Sequence, residues 1–121
     1  MYVERQTVAI TTASDGSATV YSNNVTGRVL AVVLSISGLD NTADFTITAE
    51  ATTEAILSLS NTNTNAVYYP RTAVHTTAGV AATFDGTHGI LEPITLANDR
   101  VKIVVAQGGA TKTGTVYVLI G

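Results

Sequence analysis

Apolar and polar residues alternate with a period of two along most of this chain. In "QTVAITT", Val8 and Ile10 fall on one side and Thr7, Ala9 and Thr11 on the other. Successive strand side chains point to opposite faces, so this alternation predicts strands with one buried face. "SATVY" sends Ala18 and Val20 inward, and "DFTITAE" does the same for Phe45, Ile47 and Ala49. "DRVKIVVA" sets Val101, Ile103 and Val105 opposite Arg100, Lys102 and Val104. "TVYVLIG" sets Val116, Val118 and Ile120 against Tyr117 and Leu119. "EAILSLS" adds a further short strand, and "AVYY" one that Pro70 stops or places at an edge, since proline cannot donate to a ladder.

One segment departs from clean alternation. "GRVLAVVLSIS", Gly27 to Ser37, is apolar on both sides, with Leu30, Val32, Leu34 and Ile36 on one and Val29, Ala31 and Val33 on the other. A half-exposed antiparallel strand alternates, so this one is expected to be central, or to meet another chain with its outer face.

Turn chemistry divides the strands. "DG" at Asp15–Gly16 predicts a first hairpin, and "QGGATKTG" predicts a hairpin connection between the last two strands, because Asp and Gly tolerate positive φ. From Thr72 to Leu96 the pattern is least regular. "GVAATF" reads as a strand, "DGTHG" as a turn, and "GILEPITL" as a strand bent at Pro93. "AEATTEAILS" has helix formers but no 3.6-residue period. Eight or nine short strands predict an all-β, single-domain antiparallel β-sandwich of jelly-roll type over residues 1–121, with no internal repeat or linker.

Composition narrows the function. At 121 residues and 45% apolar the chain can bury a conventional core. It has no cysteine, which excludes disulfides, thiolate catalysis and cysteine-ligated zinc. Charged residues are 12% of the chain, about half the usual ~25%, and Thr, Ser and Ala stand in their place. Such a surface suits strands and close packing between copies. Net charge is −3 and the six Lys and Arg are scattered, which argues against direct nucleic-acid binding and against docking on an anionic membrane. "MYVERQTVAI" lacks the pattern of a signal peptide, no stretch reaches the ~18 apolar residues of a membrane span, and the "NVT" sequon at Asn24 is read as chance. With strand-like pattern from Met1 to Ile120, partners are expected to meet faces, edges or loops rather than a tail.

Candidate chemistry is sparse. No Gly-x-Ser-x-Gly elbow is present, and the glycine-bearing turns lack the helix that a phosphate cradle needs. A metal site from His75, His88 and Asp85 is conceivable, and turn histidines without a ligand are the simpler account. No catalytic residue, metal ligand or cofactor is assigned. A glycan-binding module through loops near Tyr68, Tyr69 and Asp85 is the rival to an adhesive role, although aromatic residues are 6% and tryptophan is absent. "NAVYYPRTAVHTTAG" gathers Tyr68, Tyr69, Pro70, Arg71 and His75, and the sixteen residues before Arg71 carry no charge. The two tyrosines point to opposite faces. Arg71 is expected either to tie down the following loop, by clamping carbonyls or through an acid such as Asp85 or Glu92, or to join Tyr68, Tyr69 and His75 at an inter-subunit contact.

"MYVERQTVAITT", "GRVLAV", "DFTITAEAT", "YYPRTAVH" and "DRVKIVVAQGGATKTGTVYVLIG" resemble small β-rich proteins encoded beside the capsid genes of tailed bacteriophages, similar to capsid decoration, or cement, proteins. The likeness spans nearly the whole chain. It implies a homo-oligomer, trimer or dimer, that binds the outside of the head across neighbouring major capsid subunits. It implies a location on the virion exterior after assembly in the host cytoplasm, and no active site.

Overall fold

A computed structural model describes residues 2–121; Met1, which opens the N-terminal stretch quoted above, lies outside the described residues. The protein is an all-β antiparallel sandwich, with no helix among the described residues. The strands are β1 (Glu4–Thr11), β2 (Ala18–Tyr21), β3 (Val25–Ser35), β4 (Asp44–Ala49), β5 (Ala55–Leu59) and β6 (Ala66–Tyr68), followed by β7 (Thr72–Ala73), β8 (Leu91–Glu92), β9 (Ile94–Asp99), β10 (Val101–Ala106) and β11 (Thr113–Ile120). The first sheet runs β1-β11-β3, with β6 and β9 both on the far edge of β3; the second runs β2-β10-β4-β5. Most consecutive strands change sheet, which is the jelly-roll order.

The period-two pattern fills the space between the sheets. Val8, Ile10, Val116, Val118, Val32 and Leu34 from the first sheet meet Phe45, Ile47, Val101, Ile103 and Val105 from the second in one cluster. These are the inward sets that the alternation predicts.

Two expected hairpins do not form. β1 pairs with β11 and β2 with β10, so the Asp15–Gly16 turn carries the chain from one sheet to the other. The Gln107–Lys112 loop likewise links β10 to β11 across the core. The two turns still match in composition because they bind each other. Gly108 N donates to Gly16 O at 2.9 Å and Thr111 N to Ala13 O at 3.3 Å. The loop after β3 joins them, with Asp40 N donating to Gly108 O at 3.0 Å and Thr42 Oγ1 to Gln107 O at 2.9 Å. Gly109 sits at φ +89°, a backbone conformation that a residue with a Cβ adopts only with strain.

β3 is central, as its two apolar sides predict, but its facing is not the one expected. The register with β11 slips between Leu119↔Ala31 and Ile120↔Val29, leaving Leu30 as an extra residue. This bulge switches the phase of the strand. Val25 and Val29 face the core before it, and Val32, Leu34 and Ile36 after it. Leu30 is half-buried at the switch rather than on the core face with Val32.

Thr12 is the buried polar link of the locked loops. Its Oγ1 donates to Gly109 O at 2.5 Å and accepts from Lys112 N at 2.7 Å. Thr12→Val keeps the shape and removes both bonds, so it costs about 1–3 kcal/mol. Thr11→Val on the exposed face stays within about 0.5 kcal/mol. Urea unfolding midpoints with unchanged slope check the contrast.

Candidate interaction surface

The far edge of β3 is shared by two short strands. β6 pairs with Val32–Leu34, β9 pairs with Val25–Val29, and the Leu30 bulge lies between. Neither strand covers the carbonyl of Leu30. Arg71 does: its Nη1 donates to Leu30 O at 3.2 Å and to Pro70 O at 2.7 Å. A bulge leaves a backbone group outside the ladder that still needs a partner. Arg71 therefore clamps carbonyls. Asp85 and Glu92, expected as possible partners, are not paired with it; Asp85 bonds to His88 instead.

The other residues singled out from sequence divide. Tyr68 pairs opposite Val32 and packs against the core, and Tyr69 faces out, as opposed faces require. Pro70 is buried and ends β6. His75 is exposed on a separate excursion, where it bridges Ala81. Tyr69, Arg71 and His75 are thus each exposed, while Tyr68 packs against the core.

That excursion, residues 72–92, leaves and re-enters the first sheet at its β6/β9 edge. β7 and β8 form its stem. Above the stem the backbone closes a three-membered cycle. Val74 N donates to Ile90 O at 3.0 Å, Ile90 N to Ala82 O at 3.1 Å, and Ala82 N to Val74 O at 2.9 Å. Two lobes extend from the cycle. In the first, Thr76 N donates to Val80 O at 2.8 Å and Gly79, at φ +78°, closes the turn onto Thr76 O at 2.9 Å. In the second, Phe84 N donates to His88 O at 3.2 Å around the Asp85–Gly86 turn. "GVAATF" is thus held by isolated bridges rather than forming a regular strand, while Pro93 divides β8 from β9 where the bend was expected.

No residue from Arg71 to Glu92 is buried. Apolar side chains are nonetheless abundant there and on the adjoining edge. Phe84 is 71% exposed, Tyr69 66%, Val80 62%, Leu91 59%, Val67 50% and Ile90 40%. The pattern along the chain places Val80, Phe84, Ile90 and Leu91 in strands and does not reveal that nothing opposite covers them. The available signal was the run of apolar residues between turn signals lacking a matching inward set. An exposed apolar cluster of this kind marks a binding surface more often than an isolated exposed side chain does.

The tip of the second lobe is wired internally. Asp85 Oδ1 accepts from His88 N at 2.6 Å and Thr87 N at 2.9 Å, and Asp85 Oδ2 lies 2.5 Å from His88 Nδ1. Phe84 stacks on the His88 ring with centroids 5.7 Å apart. Among the described residues no three His, Cys, Asp or Glu side chains gather as a metal set. His75 stands apart from the Asp85–His88 pair by its place on the other lobe. At the opposite end of the sandwich Arg100 stacks 3.9 Å from the Tyr21 ring centroid and forms a two-pronged pair with Glu50.

No protein-family model matches the chain, and a search of curated proteins finds no match to it. The surface is therefore defined by geometry: a jelly-roll sandwich bearing one exposed, apolar, two-lobed arm.

Arg71→Ala removes the clamp at the bulge. Because the site is open to water, the loss is modest, about 1 kcal/mol, and falls on the arm and the β6/β9 edge. Hydrogen exchange quickens there with little change in β4 or β10.

The His88 backbone amide, then the His88 side chain and the Thr87 amide, hold the Asp85 carboxyl below its ordinary value. A carboxyl depressed on folding stabilises above its unfolded pKa, and that contribution fades as pH falls through the lowered value. Followed at its own side-chain carboxyl carbon, Asp85 titrates below the ordinary carboxylate value. Asp85→Asn abolishes that titration in an NMR pH series.

Proposed function

We propose that the protein is a structural adhesion protein: a decoration, or cement, protein that binds the outside of a phage head across neighbouring major capsid subunits and holds the shell against internal DNA pressure. The observation that carries this is the arm. A sandwich with a complete core of its own displays Val80, Phe84, Ile90 and Leu91 on an excursion that buries none of them. Retaining such residues in water is unfavourable unless another surface covers them.

Other features support it. The resemblance of "YYPRTAVH" and the C-terminal stretch to capsid-associated proteins points to a shell. A net charge of −3 suits the outer surface of a head better than the face toward packed DNA. A surface poor in charge limits repulsion among many crowded copies. Several copies joined in one unit gain from effective concentration, so each contact with the shell is allowed to be weak. The rival reading, recognition of host glycans near Tyr69 and Asp85, is less well supported. Both Asp85 oxygens are already engaged within the lobe, and the exposed phenyl of Phe84 stacks on His88 rather than beside a second free ring.

Heads that carry the protein rupture at a higher temperature than otherwise identical heads without it, and adding the purified protein back restores the difference. Equal rupture temperatures sink the proposal.

A further inference from the structure

The arm and the outer face of the first sheet complement one another in character. That face can be read from the register. Gln6, Val8, Val116, Val118, Val32, Leu34 and Tyr68 point inward, so their neighbours point out. One row across four strands is Thr7, Tyr117, Val33 and Val67, and the next begins Arg5, Leu119, Ala31. The stripe formed by Tyr117, Leu119, Val33 and Val67 is apolar and only partly covered. The charged residues on this face are Arg5, which lies 5.3 Å from the Tyr117 ring centroid, and Arg28, opposite Thr95 on β9. No acidic side chain points out from these strands. The outer face of the second sheet differs: there Lys102 lies between Tyr21 and Thr48, and Val104 between Thr19 and Thr46, an ordinary mixed surface.

The arm has the opposite sign. Between Arg71 and Arg100 the chain holds no lysine or arginine, and the arm's carboxylates are Asp85 and Glu92, set among Val80, Phe84, Ile90 and Leu91. An apolar acidic arm and an apolar basic face on the same chain match each other. They do not match themselves: arm against arm or face against face would bring like charges together.

The total accessible surface is 6690 Å². A compact monomer of 12.5 kDa exposes about 6,200 Å², so the chain carries roughly 500 Å² beyond that. A specific contact covers about 800 Å² on each partner, so an excess of this size is a large part of one such surface.

We infer that the arm of one copy docks on the outer face of the first sheet of a second copy, so that the chain assembles head to tail into a closed ring. Different patches meet in such a contact, and a rotation that closes gives a ring rather than a filament. The inference rests on the adhesive reading of the arm and names what covers it, a second copy, so that the ring meets a shell through the surfaces this contact leaves open.

The test is mass measurement in solution, by sedimentation equilibrium at tens of micromolar protein, on the wild type and two variants. Phe84→Asp spoils the arm; Arg5→Glu with Arg28→Glu spoils the face. Both sites are exposed, and thermal melting at the wild-type temperature verifies that each variant is folded. The wild type forms one discrete oligomer, and each variant weakens association more than about tenfold, to a monomer at the same concentration. Mixing the variants yields a one-to-one pair, because the arm variant keeps a working face. However, the Glu-bearing face stays blocked, so the pair grows no further. Variants that are each monomeric alone and paired only when mixed mark a head-to-tail contact. A monomeric wild type, an oligomer unmoved by either variant, an open-ended series of masses, or no pairing on mixing overturns the inference. A shell that gains no heat resistance from a ring-forming protein would instead count against the capsid reading alone.

Discussion

The carbonyl of Leu30 marks the constraint on which the architecture turns. β3 is eleven residues long and hydrogen-bonded on both edges. A strand of that length with a strict period of two would send Val25 and Val29 to the outside once Val32, Leu34 and Ile36 are inside. All five are in the core, because the bulge at Leu30 inserts one residue and reverses the phase. The gain is a strand that contributes apolar side chains along its whole length. The cost is a backbone group that no neighbouring strand can reach, and the cation of Arg71 answers it.

From that point the outer edge of the first sheet follows. β11 spans the bulge on one side of β3, while on the other side the edge position is shared by β6 above the bulge and β9 below it. The chain must travel between them, and it does so through residues 72–92. The arm is thus what the chain does at the discontinuity in β3, and the residue that repairs the discontinuity stands immediately before the arm. Structure at the root and exposure at the tips have one origin.

Much of this was legible from the amino-acid pattern and some was not, for physical reasons. The inward sets of β1, β4, β10 and β11 follow directly from alternation, because period two is local and survives any choice of partner. Pairing is not local. Asp15–Gly16 and Gln107–Gly109 have the composition of hairpin turns, and the same positive-φ residues serve equally well to carry a chain across a core. The facing of Val29 and Leu30 depended on a bulge, and a bulge leaves no residue signature in "GRVLAVV" where neither Gly nor Pro sits at the extra position. Tyr68 and Tyr69 were correctly set on opposite faces, and the ability of Arg71 to clamp carbonyls follows from its chemistry. Which carbonyl it clamps required the register. Phe84, Val80 and Leu91 were missed as a surface because an apolar residue announces burial, and only the coordinates show that nothing buries them.

An exposed apolar excursion without a core would ordinarily be a mobile loop, and a mobile loop makes a poor adhesive because ordering it on contact costs conformational entropy. Residues 72–92 escape that penalty through backbone and side-chain bonds instead of packing. The cycle through Val74, Ala82 and Ile90 fixes how the two lobes branch from the stem. Thr76 closes one tip, and Asp85 closes the other by taking bonds from Thr87 and His88. Arg71 ties the root to β3. The apolar side chains are therefore displayed on a preorganised frame rather than left on a slack segment, and a partner that covers them gains apolar burial without first having to order the backbone that carries it.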